Sequence, residues 1–224
     1  MKSVGKNLVA LTEPHSLVAE SYKIFRTNLE YLNVDKIDKV IMFTSSMTEE
    51  GKTTSITNTA VSFAISGKKV LLVDCDLRKS SIHKMFNLKQ MPGLVNLLVE
   101  KLSLADVVQK INMFDNLDII TSGPQPPNPA EILATQAFEG MIAEAREQYD
   151  VILIDAPPVL SLADASVLCR MVDGVVLIIA MNETKKDNAK MAKKALEKVG
   201  AKILGTLLCK ADVKKRHYYY YYGN

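Results

Sequence analysis

The run SMTEEGKTT at residues 46–54 follows a β-rich segment, KVIMFTS, and opens a helical one. Gly51, Lys52 and Thr53 match the end of a phosphate loop. In such a loop backbone N–H groups curl around phosphates, the lysine neutralises β and γ oxygens, and the threonine hydroxyl reaches Mg²⁺. The match is imperfect, because Ser46 stands where the first glycine is usual and Glu49 takes a position often held by glycine. A left-handed backbone at Glu49 would cost about 1–2 kcal/mol. Ser46, Glu50, Gly51, Lys52, Thr53 and Thr54 are the candidate nucleotide contacts.

Two more segments carry carboxylates suited to that chemistry. VLLVDCDLR brings Asp74 and Asp76, two residues apart, to one face of a strand end with Cys75 between them pointing away. Carboxylates crowded at a buried strand end repel each other unless a cation or a proton is shared. VILIDAPP ends on Asp155, which looks like the water-mediated Mg²⁺ ligand of a Walker B strand. Lys52, Asp74, Asp76 and Asp155 are thus the candidate catalytic set, with Thr53, Asp76 and Asp155 toward metal.

The closing residues, KKRHYYYYYGN, pose a different chemistry. Five of the eight tyrosines, Tyr218, Tyr219, Tyr220, Tyr221 and Tyr222, follow the basic run 214–216. A phenol with pKa near 10 is protonated at neutral pH, so a carboxylate beside it can take its proton as an oxygen–phosphorus bond forms. From Cys209 to Tyr218 an extended chain spans at most about 30 Å. The competing reading is a low-complexity end with no chemical role.

The elements that must position these groups follow from hydrophobic pattern. Residues 16–33 read as one helix capped by Ser16. From Val40 onward strands alternate with helices: strands over KVIMFTS, KKVLLVDCD, LDIITSG, DVILIDAPP, DGVVLIIAM and AKILGTLLC, with helices over 51–66, 128–148, 161–172 and 185–199. GLVNLLVE and SLADVVQKI read as two short helices, and SGPQPPNP as a stiff loop. The strand runs are almost continuously apolar, as in a sheet covered on both faces. The fold class is α/β: a doubly wound, mostly parallel sheet flanked by helices, in which strand ends converge on one ligand-binding edge. One domain over 1–209 with a flexible tail over 210–224 is expected.

Totals narrow the function classes. The chain has 224 residues, 48% hydrophobic, with a net charge of +3, too near neutral to imply a nucleic-acid partner. Cys75, Cys169 and Cys209 are isolated and odd in number, and His15, His83 and His217 form no metal-like group. No stretch approaches the roughly 20 apolar residues of a membrane span, and the N-terminus lacks a cleavable leader. A cytoplasmic location is expected, with any membrane association coming through a partner.

Together, the degenerate phosphate loop, VLLVDCDLR, VILIDAPP and the tyrosine cluster resemble the bacterial tyrosine kinases, in particular the soluble kinase of Gram-positive capsule and exopolysaccharide systems. ESYKIFRTNLEYL, SGPQPPNPAEIL and LADASVLCRMVDGVVLIIA extend the likeness along nearly the whole chain. The resemblance implies a P-loop NTPase-like fold of the MinD/ParA kind, with ATP and Mg²⁺ as cofactors. It implies that Asp74 accepts the tyrosine proton, that Asp76 and Asp155 serve the metal region, and that Arg78 supports them. It further implies autophosphorylation of the C-terminal tyrosines between subunits of a ring or other homo-oligomer. A membrane-embedded co-polymerase or adaptor on a separate polypeptide would recruit the enzyme to the inner membrane face and activate it. A cognate phosphatase would reset the tail.

Glu20, Lys23 and Arg26 fit the family's oligomerisation helix motif with lysine in place of the middle arginine; ammonium cannot reproduce a guanidinium fork. Cys209 stands where relatives often carry an asparagine associated with the base. Met47 falls where partitioning ATPases place a signature lysine. The rival readings are a MinD/ParA-type ATPase that modifies no protein and a non-catalytic, nucleotide-dependent scaffold.

Overall fold

The structure, a computed structural model, describes residues 7–32, 38–161 and 163–211. In chain order the elements are α1 (Val9–Thr12), α2 (Leu17–Tyr31), β1 (Val40–Ser45), α3 (Lys52–Ile65), β2 (Val70–Asp74), α4 (Ile82–Phe86), α5 (Leu94–Glu100), α6 (Leu104–Val107), β3 (Gln109–Ile111) and β4 (Phe114–Ile120). Then come α7 (Pro129–Leu133), α8 (Gln136–Gln148), β5 (Val151–Asp155), α9 (Asp164–Leu168), β6 (Gly174–Ala180), α10 (Lys186–Lys198) and β7 (Ile203–Cys209). They form a seven-stranded sheet in the order β3-β4-β2-β5-β1-β6-β7, parallel except for β3.

The apolar runs behave as a doubly covered sheet demands. Along β1, Val40 and Met42 pack to one side while Ile41 and Phe43 pack to the other, and every residue of β1, β2 and β5 is buried. Each fully buried Leu, Ile, Val or Phe contributes about 1.5–3 kcal/mol relative to exposure. These central strands are therefore the rigid part of the scaffold. The register sets Asp74 directly beside Asp155. Two carboxylates from separate strands thus share one edge because the chain runs both strands the same way.

Five local expectations are corrected. The helix expected over 128–148 is two helices: Thr135 accepts a hydrogen bond from the Phe138 N–H and starts α8 anew. The helix over 161–172 is reduced to the five residues of α9. SLADVVQKI is half helix and half strand, since 109–111 pairs antiparallel with β4, whose first residue is Phe114 rather than Leu117. Ile82–Phe86, expected as loop beside the two short helices, is helical, as is Val9–Thr12, for which no element was expected. β7 is an edge strand with Gly205, Thr206 and Leu208 exposed, so its apolar run is not fully covered among the described residues. The N-terminal helix starts where expected, with Ser16 accepting from the Ala19 N–H.

Candidate active site

β1 delivers the loop from Ser46 to Gly51 to the sheet edge, and α3 leaves from Lys52. Glu49 and Gly51 both have positive φ, 65° and 86°. Glu49 is held there by two lysines: its carboxylate accepts from Lys79 Nζ at 2.9 Å and its carbonyl from Lys210 Nζ at 2.8 Å. At Gly51 a Cβ would sit 2.9 Å from Cys209 Sγ, so conformation and space both require glycine.

Sequence reasoning put Ser46 and Glu50 among the nucleotide contacts. In the structure the buried Glu50 carboxylate is engaged inside the loop. It accepts from the Ser46 N–H (2.8 Å), Ser46 Oγ (2.7 Å) and the Met47 N–H (3.0 Å), and from Thr184 Oγ of the turn before α10 (2.7 Å). These bonds shape the loop where glycines are missing. The groups left for phosphate are the first N–H groups of α3, at Lys52, Thr53 and Thr54, which a helix leaves without an intrahelical acceptor. Cys209 Sγ donates to the Glu50 carbonyl at 2.8 Å, so the thiol, too, faces the loop.

The candidate catalytic set converges. Lys52 Nζ lies 2.6 Å from Asp155 Oδ1 and 3.5 Å from Asp76 Oδ2, with all three side chains buried. Thr53 Oγ donates to Asp155 Oδ2 at 2.7 Å. Burial alone would lower the Lys52 pKa, but Asp155 and Asp76 outweigh it and raise it. Asp74 Oδ2 accepts from the Ser81 and Ile82 N–H groups at 3.2 and 3.1 Å, while its Oδ1 is buried without a partner. Burial, reinforced by the charge of Asp155, pushes the Asp74 carboxyl up to about 8, against the pull of Lys52 and the Ile82 N–H. Asp155 is raised as well, by burial first, with Lys52 and Thr53 opposing.

Three carboxylates beside one ammonium leave a formal excess of two negative charges, and one carboxylate oxygen is orphaned. Such a site fits a divalent cation held jointly with phosphate oxygens. Asp76 turns its other oxygen to the Lys79 N–H at 3.0 Å. Arg78 is not part of this cluster: its guanidinium forks onto the buried Asp164 at 2.8 and 3.3 Å. Asp164 was missed, and so were Thr184 and the Ser81–Ile82 amides. The only sequence hint was the polar Ser80-Ser81 pair after the carboxylate strand, which reads as a turn.

The α2 residues face two ways. Glu20 and Lys23 pair with each other at 3.0 Å on the surface, whereas Arg26 reaches the Ser62 carbonyl on α3 at 3.5 Å and Glu30 at 3.8 Å. The same helix exposes Leu17, Ile24 and Tyr31, at seven-residue intervals, by 48%, 56% and 72%. Tyr218 to Tyr222 lie outside the described residues. Among the described residues no helix is long and apolar enough to cross a membrane.

The chain is similar to known proteins. A family model described as an AAA domain matches residues 38–202. The tyrosine-protein kinase YwqD of Bacillus subtilis (strain 168) is 44% identical over 218 residues, covering 97% of this chain and 92% of that one. The putative tyrosine-protein kinase CapB of Staphylococcus aureus is 36% identical, covering 99% and 97%. Among solved structures, the chimerical protein CapA2B2 superposes with a TM-score of 0.87 at 33% identity, covering 91% of this chain and 89% of that one. The septum site-determining protein MinD of Pyrococcus horikoshii, complexed with Mg-ADP, has a TM-score of 0.64 at 24% identity over 76% of this chain and 69% of that one, a likeness of fold alone. With a phosphate loop, two carboxylate-bearing strand ends and relatives matched over nearly their full length, the chain belongs to the bacterial tyrosine kinase family.

Proposed function

We propose that this chain is an ATP-dependent protein tyrosine kinase that phosphorylates its own C-terminal tyrosines and thereby regulates production or export of a capsular polysaccharide. The observation that carries the reading is the buried, unpartnered Asp74 Oδ1 beside the Lys52–Asp155 pair, at the sheet edge where β7 also ends. Residues 1–209 act as the kinase domain and 210–224 as its substrate.

Each residue has a defined task. The first N–H groups of α3 and the Lys52 ammonium hold the β- and γ-phosphates in line with an incoming phenol. Thr53, Asp76 and Asp155 would hold Mg²⁺, which when bound supplies charge neutralisation at the transferring group. Asp74 takes the phenol proton through Oδ1, the oxygen not committed to the Ser81 and Ile82 amides. The oxygen–phosphorus bond to tyrosine forms as the bond to the ADP oxygen breaks. The exposed stripe of Leu17, Ile24 and Tyr31, flanked by Glu20 and Lys23, suits contact with a second copy, so that one subunit's tail enters its neighbour's site. A membrane-embedded adaptor recruits and activates the enzyme, and a phosphatase resets it.

The test is direct. Purified protein is incubated with Mg²⁺ and γ-labelled ATP, and the label is mapped by peptide mass. Label on Tyr218 to Tyr222 that disappears in Lys52→Met and Asp74→Asn supports the reading. Phosphate release with no label on the chain would instead favour a MinD/ParA-type ATPase.

A further inference from the structure

The outer face of α10 is a strongly charged surface that the nucleotide site does not use. Residues 185–198 hold six lysines, 185, 186, 190, 193, 194 and 198, against Asp187 and Glu197, a net +4 in a chain whose total is +3. All six lysines are exposed, and among the described residues only Lys193 is ion-paired, to Glu197 at 3.5 Å. The opposite face, with Ala192 and Leu196, is buried against the sheet. Lys186, Lys190, Lys194 and Lys198 recur every four residues and so form one ridge, about 6 Å from one to the next and about 18 Å long.

The end of the chain leaves from beside this ridge. α10 runs back along the sheet before β7, so its N-terminus lies at the edge where β7 ends. Lys210, the first residue after β7, ion-pairs with Glu183, three residues before α10 begins. From Ala211 to Tyr218 an extended chain spans at most about 25 Å, enough to turn back along the whole ridge.

We infer that the α10 lysine ridge is a dock for the tyrosine-phosphorylated C-terminal tail. The inference rests on the kinase reading given above. Charge decides when docking occurs. Unmodified, residues 212–224 carry Lys214, Lys215 and Arg216 against Asp212, and the ridge repels them. Five phosphates add about −7 to −10, which reverses the sign of the tail and turns repulsion into attraction. Spacing is compatible too: in an extended segment Tyr218, Tyr220 and Tyr222 leave one side about 6.6–6.8 Å apart, close to the lysine repeat. A docked tail is withdrawn from the carboxylate edge, so the product is removed from the site that made it.

The test uses the full chain with Tyr218 to Tyr222 replaced by Phe, titrated with a chemically synthesised, fluorescent peptide of residues 214–224 bearing five phosphotyrosines. Anisotropy reports binding. The expected result is at least tenfold weaker binding for the same chain with Lys186→Glu, Lys190→Glu and Lys194→Glu, and at least tenfold weaker binding of the unphosphorylated peptide. Lys→Gln at the same positions, with circular dichroism of each variant, separates loss of charge from loss of fold. Equal binding by the lysine variants overturns the inference, as does displacement of the peptide by ATP, which would put it at the phosphate loop. A ridge that binds anionic phospholipid vesicles but not the phosphopeptide also overturns it, in favour of a membrane contact. Because the peptide is phosphorylated chemically, this outcome is independent of whether the chain transfers phosphate, which label mapping decides.

Discussion

Replacing Asp74 by Asn should stabilise the nucleotide-free protein while removing its transferase activity. In the structure Asp74 is fully buried, adjacent in register to Asp155, with one oxygen unpartnered and a pKa pushed up to about 8 from the ordinary 3.8. A group whose folded pKa is raised favours folding while it stays protonated. That advantage is complete below about 4 and is lost as pH climbs toward 8. At about 1.4 kcal/mol per pH unit, the span from 3.8 to neutral pH sets an upper bound of about 4 kcal/mol on the penalty at pH 7. Coupling to Asp155 and relaxation reduce it, so Asn should recover about 2–4 kcal/mol, a rise in Tm of roughly 5–10 °C for a chain of this size.

The assay is thermal unfolding from pH 4 to pH 8, without nucleotide and with a chelator. The wild type should lose stability relative to Asp74→Asn as pH rises, and the gap should be widest near pH 8. The amide retains an acceptor for the Ser81 and Ile82 N–H groups, so the fold has no other reason to weaken. A variant less stable than wild type at pH 7, or one whose gap from wild type is independent of pH, would refute the account of Asp74 as a carboxyl strained by burial.

Other perturbations probe the scaffold. Gly51→Ala forces an L-residue to φ 86° and a Cβ to within 2.9 Å of Cys209 Sγ; urea unfolding should show a loss of about 1–3 kcal/mol, only partly restored by adding Cys209→Ala. Asp173 ties the start of β1 to α8, accepting from the Lys39 and Val40 N–H groups and from both arms of the Arg146 fork at 2.8 and 2.6 Å. Burial pushes the Asp173 carboxyl up, but these donors outweigh it and hold it below the ordinary range, so its contribution is present above about pH 4 and is lost on acidification. Asp173→Asn should cost about 1–3 kcal/mol at pH 7 and flatten the acid limb of an unfolding profile.

Legibility in the sequence tracked how local each signal was. Asp74 and Asp155 could be placed because each ends an apolar strand and parallel strands share an edge, and Asp76 because it follows Asp74 by two residues. The phosphate loop was legible from Gly51-Lys52-Thr53. What escaped depended on residues far apart in the chain: Thr184 reaches Glu50 across 134 positions and Arg78 reaches Asp164 across 86. Nothing local in either pair announces the partner. The antiparallel β3 was hidden because QKI continues a helical pattern, and tertiary pairing with β4 overrides it. The break at Thr135 was visible in principle as an N-cap residue, but the Pro129 start suggested one uninterrupted helix. The exposed Leu17, Ile24 and Tyr31 recur every seven residues in the sequence, yet only the packing of α2 on α3 shows that they face outward.

The loop's departures from the glycine-rich pattern also acquire a common explanation. With Ser46 and Glu49 in place of glycines, the loop is fixed by side chains from three directions: Thr184 before α10, Lys79 after β2, and Cys209 with Lys210 at the end of β7. Lys210 matters most, because its ammonium binds both the Glu49 carbonyl and the Glu183 carboxylate. It is also eight residues before Tyr218, the first of the clustered tyrosines. Any displacement of Lys210 therefore acts on the carbonyl of Glu49, the residue held in the left-handed conformation. Relaxing Glu49 would release about 1–2 kcal/mol of backbone strain, enough to change loop geometry several-fold in population. The end of β7 and the shape of the phosphate loop are in this way linked through one residue.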